Sequence, residues 1–148
     1  MRKTITAIVP VRKGSQRVKN KNFKPFAGSN LLEIKLKALQ QVKTIDKIIV
    51  STDSIIAIET AKRLGVEHHE RDDYFASSEC SNSEFFENLA QCCDSDYLMY
   101  TPVTAPLIKV QTYYDFINRF FNTTDNHDSM LTASYVKDHM WLNGKPIN

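Results

Sequence analysis

The sequence has 148 residues, of which 42% are hydrophobic and 24% are charged. This length suits one domain with one hydrophobic core, and the composition excludes a chain that is disordered throughout. No apolar run approaches the roughly 18 residues that a membrane span requires, and the amino terminus lacks the pattern of a secretory signal. We therefore expect a cytoplasmic protein with no membrane partner.

The charge of the chain is distributed unevenly. The formal net charge is +2. Residues 1–37 hold ten Lys and Arg against the single acid Glu33, which gives that segment a net charge of +9. The remainder holds nine Lys and Arg against sixteen Asp and Glu, a net charge of −7. A basic end on a nearly neutral chain indicates a local anion site more than a surface that binds nucleic acid.

The cysteines and histidines show no metal-site spacing. Cys80, Cys92 and Cys93 form neither a CxxC redox motif nor a zinc pattern, and we interpret them as small apolar side chains in a reducing compartment. His68 and His69 are adjacent in a strand-like segment, where successive side chains point to opposite faces. We therefore assign no metal ligand in this chain.

Apolar periodicity predicts strands and helices in alternation. In chain order the pattern predicts a strand at 4–10, a helix through 31–42, a strand at 47–52, a helix through 57–64, a strand at 66–70, a helix through 85–93, a strand at 97–101, a helix through 110–121 and a strand at 130–136. Lys35 falls outside the apolar stripe of the first helix. Gly65 is placed to end the second helix, and Ser81 with Glu84 has the capping-box pattern before the third.

This alternation predicts an α/β fold. We expect one domain over residues 1–148, with a Rossmann-like three-layer α/β/α arrangement and a mainly parallel sheet. Ligands of such sheets bind outside the carboxyl ends of the strands. The segments that follow the predicted strands should therefore meet at one edge, and they are 10–22, 52–53, 70–83, 101–106 and 135–139.

The segment after the first predicted strand is rich in cations. Five of them fall within ten residues, with Gly14 and Ser15 between them: Arg12, Lys13, Arg17, Lys19 and Lys21. Guanidinium and ammonium groups, a hydroxyl and free backbone N–H groups suit a polyphosphate. A solvated surface run is the alternative, but so long a loop between a buried strand and a helix is uncommon and is usually functional. The Walker and dinucleotide-binding patterns are both absent.

The residues from Ile8 to Arg17, with Lys21-Asn22 after them, resemble the signature of the acylneuraminate cytidylyltransferase (CMP-sialic acid synthetase) family. Later segments keep the family's order and spacing, namely 48–53, 61–66, 70–83 and 104–107. The resemblance covers essentially the whole chain. It implies a fold of the nucleotide-diphospho-sugar transferase type.

The resemblance also implies a CTP-dependent nucleotidyltransferase. Such an enzyme transfers CMP from CTP to the anomeric hydroxyl of a sialic-acid-like 2-keto sugar acid and releases pyrophosphate, with Mg²⁺ as the expected cofactor. The resemblance assigns Arg12 and Lys21 as catalytic groups. It implies nucleotide binding by Arg12, Gly14, Ser15, Arg17, Lys21, Asn22, Arg71, Ser81 and Asn82, and sugar binding by Thr104. His139, which follows the last predicted strand, is a second expected sugar contact.

Two features depart from the family pattern. Residues 100–103 read Tyr-Thr-Pro-Val where sialic-acid enzymes usually carry Leu-Gln-Pro-Thr, which favours a sugar of the pseudaminic or legionaminic type. The chain also ends before the later segment in which family members carry an Asp-x-Asp metal pair and dimer contacts. We therefore expect a chain that lacks its carboxyl-terminal portion and whose full-length form is a homodimer.

Two alternatives stay open at this point. A related nucleotidyltransferase with another sugar or polyol acceptor would use the same phosphate-binding segment. A non-catalytic module that binds nucleotides or nucleic acid would also explain the basic end of the chain. As binding partners of this chain we expect CTP and a 2-keto sugar acid, and no nucleic acid.

Overall fold

The computed structural model describes residues 2–14, 18, 20–134 and 141–146. The chain divides into two compact units, residues 1–117 and 118–148. The strands and helices that surround the candidate site all belong to the first unit. The expectation of a single nucleotidyltransferase domain over the whole chain stays a prediction.

Four strands of the first unit form one parallel sheet. They are β1 (Ile5–Val11), β2 (Lys47–Thr52), β3 (Glu67–Glu70) and β4 (Tyr97–Tyr100), in the spatial order β3-β2-β1-β4. Every pairing between neighbours is parallel. All residues of β1 are buried except the half-buried Pro10, so both faces of this strand are covered. The predicted α/β fold with a parallel sheet is confirmed.

Helices connect these strands. Those within the described residues are α1 (Leu31–Gln40), α2 (Ile55–Arg63), α3 (Asp73–Ala76), α4 (Asn82–Gln91) and α5 (Val110–Phe121), and a 3-10 turn covers Lys21–Phe23. Leu89 of α4 packs in the core with Ile8 and Ile49, which are neighbours in the sheet. None of the helices in the described ranges has the length and apolar character needed to cross a bilayer.

The predicted helix signals are present at α2 and α4. Ser81 and Glu84 form the complete capping box, in which the Ser81 hydroxyl accepts from the Glu84 N–H and the Glu84 carboxylate accepts from the Ser81 N–H. Gly65 follows α2 with φ of 66°, a left-handed backbone that glycine adopts without a steric penalty. The capping box marks the start of α4, and Gly65 marks the end of α2.

One local prediction fails, and one hairpin was not predicted. Residues 130–134 are irregular rather than a strand, and Leu131 is 80% exposed, so no described residue covers its side chain. The rest of that predicted strand lies outside the described residues. In the second unit, β5 (Trp141–Leu142) and β6 (Lys145–Pro146) form an antiparallel hairpin that the sequence pattern did not predict.

Lys35 also differs from its prediction. It was expected to point away from the apolar stripe of α1, but it is only 2% exposed. The apolar stripe of Leu32, Leu36 and Leu39 is fully buried as expected. The helix is therefore covered over a wider arc than its hydrophobic residues indicate.

Candidate functional site

A cavity of about 510 Å³ lies at the carboxyl-terminal edge of the parallel sheet. Three segments line it, and each follows one strand of the sheet, β1, β3 or β4. The lining residues described are Pro10, Arg12, Val18, Lys21, Asn22, Arg71, Phe75, Ala76, Ser77, Cys80, Asn82, Phe85, Tyr100, Pro102, Val103 and Thr104. The prediction that these three segments meet at one edge is therefore confirmed.

Cations dominate the polar part of this cavity. Arg12 and Lys21 come from the segment after β1, and Arg71 comes from the end of β3. None of the lining residues in the described part of the chain is acidic. Three cations that converge without a carboxylate among them produce a positive potential suited to a multiply charged anion.

Arg71 is buried and contacts both β1 and α4. It is 6% exposed, its guanidinium donates to the Val11 carbonyl at 3.0 Å, and it lies 5.3 Å from the centre of the Phe85 ring. Burial lowers the pKa of Arg71, while the charge of Asp53 opposes that shift. The Arg71 Nε has no hydrogen-bond partner among the described residues. A buried donor left unpaired costs about 1–3 kcal/mol.

Asn22 presents a complementary unpaired group. It lies in the 3-10 turn, is 7% exposed and lines the same cavity. Its Oδ1 has no donor within the described ranges. Asn22 and Arg71 thus both line the cavity, and each also carries a buried polar atom with no partner among the described residues.

Asp53 does not line the cavity, but its carboxylate contacts the cation-rich segment after β1. Its carboxylate accepts a hydrogen bond from the Lys13 backbone N–H at 2.7 Å, which ties the segment after β1 to the end of β2. The sequence analysis places residues 52–53 at the ligand edge but assigns no site role to Asp53, and in the structure Ser54 is the N-cap of α2. Its place directly after β2, at the ligand edge, was the signal that could have identified this role.

Aromatic residues form a further wall of the cavity. Phe75, Phe85 and Tyr100 all line it, and Tyr100 packs edge-on against Phe86 at 5.2 Å. Burial raises the pKa of the Tyr100 phenol, which stays neutral at physiological pH. Flat, neutral rings of this kind suit a heterocyclic base.

Cys80 is a lining residue that the sequence analysis missed. It was interpreted as a small apolar side chain, yet its thiol borders the cavity close to Arg71. Burial raises the pKa of this thiol, so it is mainly protonated at neutral pH. Its place in the strand-to-helix segment 70–83 was the only sequence signal for this position.

The predicted site residues divide into three groups. Those that line the cavity are Arg12, Lys21, Asn22, Arg71, Asn82 and Thr104. Gly14 and Ser81 are described but do not line it, and the Ser81 hydroxyl is occupied by the Glu84 carboxylate at 2.6 Å. Ser15, Arg17 and His139 lie outside the described residues. The catalytic and binding roles of all these residues stay predictions.

The described residues do not form a metal site of their own. No cluster of three His, Cys, Asp or Glu side chains within the described ranges could hold a metal ion. His69 is instead 3.2 Å from the Ser51 hydroxyl through its Nδ1, and burial together with the charge of Arg71 lowers its pKa. No metal ligand is therefore assigned among the described residues.

Comparison with known proteins connects this geometry to a family. A family model described as cytidylyltransferase matches residues 6–142. The N-acylneuraminate cytidylyltransferase of Escherichia coli O18:K1:H7 is 33% identical over 88 residues, which are 60% of this chain and 21% of that protein. The chain thus spans about a fifth of the length of this curated relative.

Solved structures share the fold. A CMP:2-keto-3-deoxy-manno-octonic acid synthetase complexed with CTP superimposes with a TM-score of 0.70 at 14% identity, covering 82% of this chain and 48% of that one. Rv0371c from Mycobacterium tuberculosis in complex with manganese superimposes with a TM-score of 0.55 at 17% identity, and the match covers 82% of this chain and 59% of that one. The expected fold of the nucleotide-diphospho-sugar transferase type is confirmed. Since the family model matches nearly the whole sequence, the chain belongs to the cytidylyltransferase family, as its resemblance to the acylneuraminate enzymes predicted.

Proposed function

We propose that this chain binds CTP in the cavity and transfers CMP to a sialic-acid-like 2-keto sugar acid, releasing pyrophosphate. One observation carries the proposal. Arg12, Lys21 and Arg71 converge on one cavity, and none of its described lining residues is acidic. Family membership supports the identity of the nucleotide.

The phosphate end of the site would be held by the segment after β1. In the transfer, the anomeric hydroxyl oxygen of the acceptor bonds to the α-phosphorus while the bond from that phosphorus to the bridging oxygen breaks. Pyrophosphate leaves with the electron pair, and the hydroxyl proton passes to solvent. Arg12 and Lys21 would position the triphosphate and neutralise the charge that develops on the departing pyrophosphate.

The base end of the site would be formed by the segment between β3 and α4. Asn82 is the first residue of α4 and lines the cavity near the aromatic wall. Its amide can both donate and accept, which suits the edge of a pyrimidine. Phe75, Phe85 and Tyr100 would supply apolar surface for the ring. Thr104, in the segment after β4, would face the sugar acid.

The proposal also includes the type of sugar acceptor and a divalent metal cofactor. The Escherichia coli relative is named for an acylneuraminate substrate, and the Tyr-Thr-Pro-Val sequence at 100–103 favours a pseudaminic- or legionaminic-type sugar. Mg²⁺ is the ion expected to accompany a nucleoside triphosphate. The related structure that contains manganese supports a divalent ion. Dimerisation and cytoplasmic location of the full-length protein also stay predictions.

Equilibrium titration tests the nucleotide assignment. The chain is titrated calorimetrically with CTP, ATP and a short single-stranded RNA, each at low and high salt. We expect binding of CTP to be at least about 10-fold tighter than binding of ATP, since Asn82 can distinguish the bases by hydrogen bonding. Tight, salt-sensitive RNA binding without a preference for CTP would instead establish the non-catalytic nucleic-acid-binding alternative.

A panel of acceptors separates the two enzymatic alternatives. With CTP held constant, pyrophosphate release is measured with a sialic acid, a pseudaminic-type sugar acid and simple sugar or polyol acceptors. Release that requires a 2-keto carboxylate supports the proposed function. Release with a polyol and none with any sugar acid would support the related nucleotidyltransferase instead.

A further inference from the structure

Lys35 is a buried lysine that the nucleotide site does not use. It lies in α1, and its Nζ donates to the Ala105 carbonyl at 2.8 Å and to the Tyr113 hydroxyl at 2.6 Å. The ammonium is also 5.3 Å from the centre of the Tyr113 ring. No carboxylate in the described part of the chain forms an ion pair with it.

Packing alone does not explain a lysine at this position. Burying a charged group without an opposite charge is unfavourable, and burial lowers the pKa of Lys35 to about 8. A methionine would fill similar space in the same helix without that cost. The feature that an apolar side chain could not reproduce is the pair of hydrogen bonds from the Lys35 Nζ.

One of those hydrogen bonds ends on the turn that follows β4. The Thr101 N–H and hydroxyl both donate to the Ile8 carbonyl at 2.9 Å, which anchors the start of the turn to the central strand. The Ala105 N–H reaches back to the Pro102 carbonyl at 3.5 Å. At the other end of the turn, the Lys35 Nζ donates to the Ala105 carbonyl. Residues 102–104 lie between the two anchors and line the cavity.

We infer that Lys35 is a positioning residue for the acceptor side of the site. By fixing the Ala105 carbonyl it holds Thr104 at the cavity wall in the conformation that receives the sugar acid. This inference rests on the proposed function. Arg12, Lys21 and Arg71 come from other segments of the chain, so the nucleotide side of the site should not depend on Lys35.

The test compares Lys35→Met with Lys37→Met. Lys37 lies on the same helix but is exposed, and it pairs at 3.5 Å with Glu33. We expect Lys35→Met to raise the KM for the sugar acid about 10-fold, the effect of one charge-assisted hydrogen bond, while the Kd for CTP stays within about twofold of wild type. Lys37→Met should change neither constant. An equal loss of CTP affinity and acceptor affinity in Lys35→Met would overturn the inference.

Amide hydrogen exchange provides a readout that does not depend on catalysis. In Lys35→Met the amides of residues 103–105 should exchange about 10-fold faster than in wild type, while those of β1 should not change. Unchanged exchange in this turn would overturn the inference even if the enzyme proves active. A wild-type chain that fails to bind CTP would overturn the proposed function but leave this exchange result interpretable.

Tyr113→Phe keeps the test decisive if Lys35→Met does not fold. This variant retains the aromatic ring and removes one of the two acceptors of the Lys35 ammonium. We expect the same amides to exchange faster by a smaller factor, about threefold, because the ammonium is then held by the Ala105 carbonyl alone. Exchange in the turn that matches wild type in Tyr113→Phe would count against the inference.

Discussion

Replacing Arg12 or Lys21 by alanine is expected to weaken CTP binding by about 10- to 100-fold, the effect of one or two charge-assisted hydrogen bonds to phosphate. Turnover should fall by orders of magnitude, because the same cations would stabilise the departing pyrophosphate. The free energy of unfolding should stay within about 0.5 kcal/mol of wild type, since Arg12 is exposed and Lys21 is only half-buried. Calorimetric titration with CTP and urea denaturation measure the two quantities.

Lys24→Ala is the matched control for this experiment. Lys24 is exposed and lies in the same basic segment, but it is not among the described residues that line the cavity. Its removal changes the net charge by the same amount, so a general electrostatic effect would appear equally in all three variants. A loss of affinity in Lys24→Ala as large as in Lys21→Ala would contradict the assignment of the phosphate site.

The second large effect concerns the pH dependence of stability. Burial lowers the pKa of Lys35 in the folded chain to about 8, against an ordinary value of 10.5. Between these pH values the unfolded chain binds a proton that the folded chain does not bind. Raising the pH through this window therefore stabilises the fold. Below pH 8 both states are protonated, and the full energetic cost of burying the charge is present.

We expect the free energy of unfolding of wild type, relative to Lys35→Met, to rise by up to about 3 kcal/mol between pH 7 and pH 10.5. Urea denaturation of both proteins at intervals of one pH unit measures this difference. Other groups that titrate in this range are common to both proteins and cancel. If the free energies of unfolding of the two proteins instead differ by a constant amount from pH 7 to pH 10.5, Lys35 is not a buried ammonium.

The parts of the fold that depend on short sequence spans could be predicted. The capping box of Ser81 and Glu84 and the glycine that ends α2 each involve residues within a few positions of one another. The meeting of Arg12 and Arg71 was predictable for a different reason. Parallel strands bring their carboxyl ends to one edge of a sheet, whatever the distance along the chain.

The features that were missed depend on contacts distant in sequence. Lys35 was placed outside the apolar stripe of its helix, because its partners Ala105 and Tyr113 lie 70 and 78 residues away. Ser81 illustrates a conflict between two predictions, since its hydroxyl was assigned both to a nucleotide and to a helix cap. The structure shows the cap contact, and local hydrogen bonding to the backbone is the common role of serine at this position.

The strand predicted at 130–136 failed for a third reason. A short β-rich run becomes a strand only when neighbouring elements bury one of its faces, and periodicity in a single sequence does not reveal those neighbours. In the described part of this run, Leu131 has no such cover. Cys80 was missed for a similar reason, since its place in segment 70–83 was its only sequence signal and its cavity neighbours are distant in sequence.

Protection of Cys80 by CTP tests the central claim most directly, because this thiol borders the cavity while Cys92 and Cys93 pack against the core cluster around Leu89. The chain is alkylated with N-ethylmaleimide with and without CTP, and each cysteine is quantified by peptide mass spectrometry. At CTP about 10 times its Kd, Cys80 should react about 10-fold more slowly, and the rates of Cys92 and Cys93 should not change. Alkylation of Cys80 at an unchanged rate, at CTP concentrations that saturate the protein, would place the nucleotide elsewhere and contradict the account.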